Sequence, residues 1–345
     1  MNVVFRADAS IAIGTGHVMR CLTLADALRH RGARCHFICR RDAGHLLDLI
    51  RVRGHAVRAL ACGEGAEIDV DWREDAAQTR SINDELHPEW LIVDHYRLGQ
   101  EWEDEIRSSA QRVFVIDDLG RPHRCDILLD QNFHSPMHRR YRESLTGDTQ
   151  LLLGPDFALV RPEFAALRPL ALKRRDGSFS RLLISMGGSD PGNETSKVLS
   201  GLRVRWESRW TVDVVIGSSN PHAMFVEDAC RRLPKARLHV QTPRIAELML
   251  AADCAVNAGG STTWERCCLG LPALVTVVSD NQATIAESVA KAGAQKLIGW
   301  STDLTADDYA QALGALTSQQ LCEMSAAAAE ICDGLGADRV AARLH

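Results

Sequence analysis

A chain of 345 residues is too long for one typical domain, and two are expected. Hydrophobic residues at 46% and charged residues at 25% are ordinary for a globular protein, and a net charge of -5 with interspersed signs excludes a dedicated nucleic-acid binder with a basic face. No apolar run approaches the roughly 18 residues of a membrane span, and Arg6 and Asp8 interrupt the first apolar stretch, so neither a membrane anchor nor a signal peptide is expected.

Eleven cysteines are scattered without a CxxC pair: Cys21, Cys35, Cys39, Cys62, Cys125, Cys230, Cys254, Cys267, Cys268, Cys322 and Cys332. That usage predicts reduced, mostly buried thiols in a cytoplasmic protein, with neither a zinc site nor a disulfide framework.

In chain order, short apolar runs alternate with amphipathic stretches, the pattern of a parallel sheet with crossover helices. The first half offers the strands "NVVF", "RCHFIC", "EWLIVD", "RVFVID" and "CDILLD", with helices over 18–31, 43–53 and 100–110. The runs hold more apolar residues than strict alternation would, as strands covered on both faces require. Around 168–180, "RPLALKRRDGSFS", the pattern lapses into a charged segment with Pro and Gly, which reads as a linker. It restarts with "RLLISMGGSDPGNETSKVLSGL" and continues through "TVDVVIG", "ARLHVQT", "CAVNAG", "PALVTVV" and "AQKLIGW". The expected architecture is α/β: a first Rossmann-like domain over 1–167 and a second over 181–345, their parallel sheets facing a central cleft where ligands bind.

The first loop, "GTGH", is not the dinucleotide fingerprint, because Met19 stands where a third small residue belongs and "RCHFICR" ends in basic residues where an acidic one is needed. Gly14 and Gly16 permit a tight turn and close approach of a substrate, and His17 falls in the first turn of the next helix. There the positive end of the helix dipole opposes protonation and favours a basic imidazole. The alternative is a histidine that merely caps or packs.

Further along, "LIVDHYRL" puts Asp94, His95 and Tyr96 at a strand end, where they either do chemistry or close a turn. Asp117 and Asp118 in "VIDDLG" could hold a divalent ion but lack a third ligand, so a structural role is expected. Gly187, Gly188 and Ser189 in "SMGGSD" can present amides to a phosphate or form a plain turn. In "NAGGSTTWERCC", Gly259, Gly260, Ser261, Thr262 and Thr263 make a diphosphate cradle at a helix start, with Glu265 one turn on as acceptor for both ribose hydroxyls; simple helix capping is the alternative. Asp280, Asn281 and Gln282 stand at another strand end, either in a site or as caps.

Taken in order, "FRADASIAIGTGHVMRCLTLADAL", "LIVDHY", "FVIDDLGRPHRCDILLDQN", "LLGPDFALVRPEF", "ISMGGSD" and "SDNQATIAE" resemble the UDP-sugar hydrolases of pseudaminic acid biosynthesis. The resemblance spans roughly 1–295 and is most specific at R-x-D-x-S and G-x-G-H; these hydrolases in turn resemble the GT-B glycosyltransferases, above all the one that completes lipid II. It implies attack of water at the anomeric carbon of a UDP-linked 2,4-diacetamido-2,4,6-trideoxy sugar, with inversion, release of UDP and no metal or cofactor. It implies His17 as general base, Tyr96 and Asn281 as active-site residues that orient water or sugar, and the loop from Gly259 with Glu265 as the nucleotide site. Gly187, Gly188 and Ser189 are then the second diphosphate loop, the backbone around Ile245 in "TPRIAELM" reads uracil, and Arg161 contacts sugar or phosphate. A monomer acting on a small-molecule UDP-sugar is expected. The tail 300–345 departs from the family pattern, carrying two or three helices that pack back across the domains. The alternatives are a transferase of the same fold, which would need an acceptor groove or membrane-facing patch, and a non-catalytic sugar-nucleotide binder.

Overall fold

The computed structural model describes residues 1–60, 71–133, 140–141, 144–145, 148–205, 207 and 209–345; Cys62 lies outside them. Two compact units emerge: Met1–Leu159 together with Leu335–His345, and Val160–Gly334.

In the first unit β1 (Asn2–Ala7) leads to α1 (Gly16–His30), β2 (Arg34–Arg40), α2 (Leu47–Val52), β3 (Ala56–Leu60) and α3 (Trp72–Leu86). Then follow β4 (Trp90–Asp94), α4 (Gln100–Ile106), β5 (Arg112–Ile116), β6 (Ile127–Asp130) and β7 (Gln150–Leu153). All seven strands are parallel, in the order β3-β2-β1-β4-β5-β6-β7. Period-two alternation splits β1 between two cores. Val3, Phe5 and Ala7 join Leu24, Leu28 and Phe37 on one face, while Val4 joins Ile38, Trp102 and Ile106 on the other. Phe5 stacks on Phe37 with ring centroids 4.8 Å apart.

The second unit runs α5 (Pro162–Lys173), β8 (Arg181–Ser185), α6 (Glu194–Val204), β9 (Thr211–Ile216), α7 (Ala223–Arg231), β10 (Ala236–Val240) and α8 (Ile245–Ala251). It continues with β11 (Cys254–Ala258), α9 (Thr262–Cys268), β12 (Ala273–Val277), α10 (Asp280–Lys291), β13 (Lys296–Trp300), α11 (Ala306–Gly314) and α12 (Ser318–Ile331). Its sheet is parallel in the order β10-β9-β8-β11-β12-β13. The fully buried Leu182, Ile184, Val214 and Val256 pack with Leu199, Leu202 and Tyr309 from the covering helices.

Two boundaries differ from the sequence expectation. The segment 168–180 is not an open linker, because α5 runs through Lys173 despite Pro169 inside it, and the units divide at Leu159 and Val160 instead. The tail forms three helices, as its composition suggests, but the last, α13 (Gly336–Leu344), belongs to the first unit. There Ala337, Val340, Ala341 and Leu344 enter the core beside α1, and the Trp90 indole donates to the Leu344 carbonyl at 2.9 Å.

In each unit the first strand sits beside the strand that reverses the winding: β1 beside β4, and β8 beside β11. The crevice beyond the carboxyl ends of those two strands is where open α/β sheets bind ligands. His17 follows β1 and Asp94 ends β4; Gly187 follows β8 and Gly259 follows β11.

Candidate functional site

In the first unit the R-x-D-x-S stretch builds the loop that delivers His17. The fully buried Arg6 forks onto Asp8 (2.6 and 2.7 Å) and onto Asp75 of α3 (3.1 and 2.6 Å), and Asp8 also accepts the Arg40 N–H at 2.7 Å. Burial opposes the charge on Asp8, but Arg6 and then His95 hold its carboxyl well below the usual range. Ser10 Oγ accepts the Ala12 and Ile13 amides at 3.2 Å each, and Ser10 and Gly14 pair through their backbones. Gly14 completes the turn at φ 78°, a conformation that side-chain-bearing residues rarely adopt. A Cβ on Gly16 would meet nothing within 4 Å, so the approach to His17 is open there.

His17 is the second residue of α1 and is 6% exposed. Its Nδ1 lies 2.6 Å from Asp94 Oδ1. Arg20, one turn on along α1, grips the same carboxylate through Nε at 2.5 Å and a terminal nitrogen at 2.6 Å. Burial favours a neutral Asp94, yet Arg20 first and His17 next hold its carboxyl well below the usual range. An ionised Asp94 only accepts hydrogen bonds, so Nδ1 carries the proton, and in the neutral ring Nε2 keeps the lone pair. This is the base-and-orienting-carboxylate arrangement of nucleophile-activating enzymes.

Tyr96 stands edge-on to His17, centroids 4.5 Å apart at 85°. Burial and then Asp118 push its phenol above the ordinary value, so it stays neutral. Asp118 takes the remaining arm of Arg20 at 3.1 Å. Thus α1, β4 and the turn after β5 bring His17, Asp94, Arg20, Tyr96 and Asp118 together. The adjacent His95 serves the scaffold: it donates from Nε2 to Asp8 at 3.2 Å and accepts the Arg97 N–H at 3.1 Å. Asp117 is structural as expected, its carboxylate taken by three backbone amides, Arg121 and the Tyr141 hydroxyl.

Sequence reasoning left Asp94 undecided and passed over Arg20 and Arg121. The i,i+3 spacing of His17 and Arg20 marks a shared helix face, which was the available signal for Arg20; their common partner lies 74 or more residues away.

In the second unit Gly259 N–H pairs with Thr276, while the amides of Gly260, Ser261 and Thr262 at the head of α9 meet no acceptor among the described residues. Ser261 makes no side-chain cap bond, so the capping reading of this stretch is set aside. Glu265 accepts Arg161 Nε at 3.0 Å and a terminal nitrogen at 2.9 Å, both on Oε1. Burial raises the Glu265 pKa against the pull of Arg161, although 16% of its side chain stays exposed. The other end of Arg161 pairs with Glu163 at 3.1 Å, and its guanidinium lies over Phe164. Arg161, expected to contact sugar or phosphate, here places its nitrogens on Glu265 and Glu163 and braces Glu265.

The loop after β8 is similarly open. The amides of Gly187, Gly188 and Ser189 meet no acceptor among the described residues, and a Cβ on Gly187 or Gly188 would touch nothing within 4 Å. The first amides of α6 are not free, because Asp190 accepts those of Glu194 and Thr195 at 2.9 Å each. Gly217, after β9, donates to the Gly188 carbonyl at 2.9 Å, and a Cβ there would lie 2.6 Å from that oxygen. Ile245 begins α8 after β10, and Asn281 is exposed in the first turn of α10, accepting the Ser279 hydroxyl at 2.6 Å. These loops share one edge of the sheet because every strand is parallel; Asn281 belongs to the second unit and His17 to the first.

No family model matches the chain. It is 26% identical over 294 residues to the UDP-2,4-diacetamido-2,4,6-trideoxy-beta-L-altropyranose hydrolase of Campylobacter jejuni, covering 85% of this chain and 97% of that protein. It is 29% identical over 302 residues to the spore coat polysaccharide biosynthesis protein SpsG of Bacillus subtilis, covering 87% and 84%. A third relative, an uncharacterized protein of Methanocaldococcus jannaschii, is 24% identical over 82% of this chain, which spans only 57% of its length. Among solved structures, Acinetobacter baumannii MurG matches with a TM-score of 0.71 at 13% identity over 99% of both chains. The UDP-GlcNAc 2-epimerase of Neisseria meningitidis, bound to UDP-GlcNAc, matches with 0.67 at 14% identity over 100% and 99%. The fold is GT-B. The resemblance carried by the motifs therefore extends over most of the chain, and it reaches an enzyme named for acting on a UDP-sugar.

Proposed function

We propose that this protein is a UDP-sugar hydrolase. The observation that carries the reading is the His17–Asp94 pair at the β1/β4 crevice, with Nδ1 committed and Nε2 available. In this reading His17 Nε2 removes a proton from water as the water oxygen bonds to the anomeric carbon. The anomeric C–O bond breaks, its electron pair leaves with UDP, and configuration inverts. Asp94 holds the tautomer and stabilises the imidazolium that forms, and Arg20 keeps Asp94 ionised. Tyr96 confines the water or sugar beside His17. The amides at 187–189 and 260–262 stabilise the departing diphosphate, Glu265 binds the ribose, and the backbone near Ile245 reads the base. Asn281 contacts the sugar. The substrate we assign is a 2,4-diacetamido-2,4,6-trideoxy sugar, supported by the 26% identity to the Campylobacter enzyme named for it and by UDP-GlcNAc in the epimerase structure of the same fold. Pseudaminic acid synthesis, a cytoplasmic setting and a monomer belong to this same reading.

Incubation of the protein with a panel of UDP-diacetamido sugars, followed by NMR, tests it. UDP release without an added acceptor, with an inverted free sugar, is expected. Release only when an acceptor is supplied would make it a transferase. Binding with no turnover under either condition would leave a sugar-nucleotide binder.

A further inference from the structure

We propose that Arg121 is a positioning residue for the His17 site: it fixes the turn after β4 that sets the Tyr96 ring against His17. Arg121 lies five residues beyond β5, in a loop folded around Asp117. One Asp117 oxygen accepts the amides of Leu119, Gly120 and Arg121 at 3.1, 2.7 and 3.2 Å, and the other accepts Arg121 Nε at 2.9 Å. Gly120 makes this tight loop possible at φ 75°.

With Nε anchored, the terminal nitrogens of Arg121 reach the neighbouring strand end. One donates to the Tyr96 carbonyl at 2.6 Å and the other to the His95 carbonyl at 3.2 Å. These are the two residues directly after Asp94, beyond the ladder bonds of β4, so their carbonyls need partners from elsewhere. The His95 side chain is held by Asp8 and by the Arg97 amide. The turn so held carries Tyr96 in its edge-on contact with His17. A lysine would keep the charge beside Asp117 but cannot span two carbonyls and a carboxylate at once.

The expected effect on turnover rests on the hydrolase reading; the geometry does not. The test is histidine-labelled NMR of the free full-length protein, with the His17 signal assigned by its absence in His17→Gln. Tyr96→Leu defines the shift that the Tyr96 ring imposes on the imidazole. Arg121→Gln and Arg121→Lys are expected to move the His17 signal most of the way to its Tyr96→Leu position. Turnover is expected to fall about ten-fold at unchanged KM, the size of loss a small misplacement of a reacting group produces. Arg121→Gln added to Tyr96→Leu is expected to cost nothing more than Tyr96→Leu alone. Should Arg121→Gln fail to fold, Arg121→Lys carries the test by itself. A His17 signal unmoved in a folded Arg121 variant overturns the proposal, whatever the turnover. A moved signal in a protein that releases no UDP from any sugar supports the role of Arg121 and sinks the hydrolase reading separately.

Discussion

The two crevices of this protein are built on the same sheet topology and filled in opposite ways. Beside β1 and β4 the space is occupied by polar side chains locked to one another: His17, Asp94, Arg20 and Asp118, with Asp94 fully buried. Beside β8 and β11 the amides at 187–189 and 260–262 meet no acceptor among the described residues, and Glu265 is braced by Arg161. The difference fits what the proposed reaction asks of each. A proton acceptor needs its tautomer and orientation fixed in advance, which takes long-range side-chain pairs. A diphosphate needs many donors at close range, which small residues supply by stepping out of the way.

Breaking the first crevice has the largest expected effect. Asp94→Asn leaves the shape but loses the anion that fixes Nδ1–H, and kcat is expected to fall by about 10³ to 10⁴, as when an orienting carboxylate is lost elsewhere. His17→Ala removes the base and is expected to lower turnover by about 10² to 10⁴ while UDP affinity, read by calorimetry, stays put. Equal kcat in wild type and His17→Ala would sink the assignment. The second crevice breaks the other way: Glu265→Ala is expected to weaken UDP binding about ten-fold or more, the scale of losing hydrogen bonds to a charged group. Unchanged UDP affinity removes Glu265 from the ribose. Gly217→Ala is expected to have a smaller effect of the same kind, since its Cβ must push the Gly188 carbonyl aside.

A last prediction concerns pH and leaves both crevices intact. His123 lies buried between Glu103 (2.5 Å) and Asp117 (3.4 Å). Burial lowers its pKa, but the neighbouring carboxylates of Asp117 and Glu103 outweigh it and raise it from 6.5 to about 9. A group whose folded pKa is raised binds more protons in the folded state. Its stabilisation is complete below about pH 6.5 and fades as pH climbs through about 9. Thermal melts between pH 6.5 and 9.5 should fall in wild type and fall less steeply in His123→Gln; parallel slopes would refute the charge on His123.

Much of this was legible because central strands are unambiguous. β1, β4 and β5 are fully or almost fully buried and read as apolar runs. β3 and β7 went unread, and both are sheet edges with mixed burial and mixed sequences, "AVRAL" and "QLLL". α5 hid behind Pro169 and its basic end, which together mimic a linker. In the candidate site, His17 and the glycine loops could be proposed from the sequence because the residues that suggest them are contiguous. Asp94 as partner of His17, Arg20 as partner of Asp94, and Arg161 as brace of Glu265 were not. Those pairs join residues 77, 74 and 104 positions apart, and no local pattern encodes them.

The placement of α13 has a consequence for biosynthesis. Val340, Ala341 and Leu344 fill the core that also holds Val3, Phe5 and Leu28, and Trp90 bonds to the Leu344 carbonyl. On the ribosome, the half of the protein made first must therefore wait with that core unfilled until residue 344 has emerged. The second unit has no such wait: a chain truncated after residue 334 would carry the whole of it and a first unit without α13.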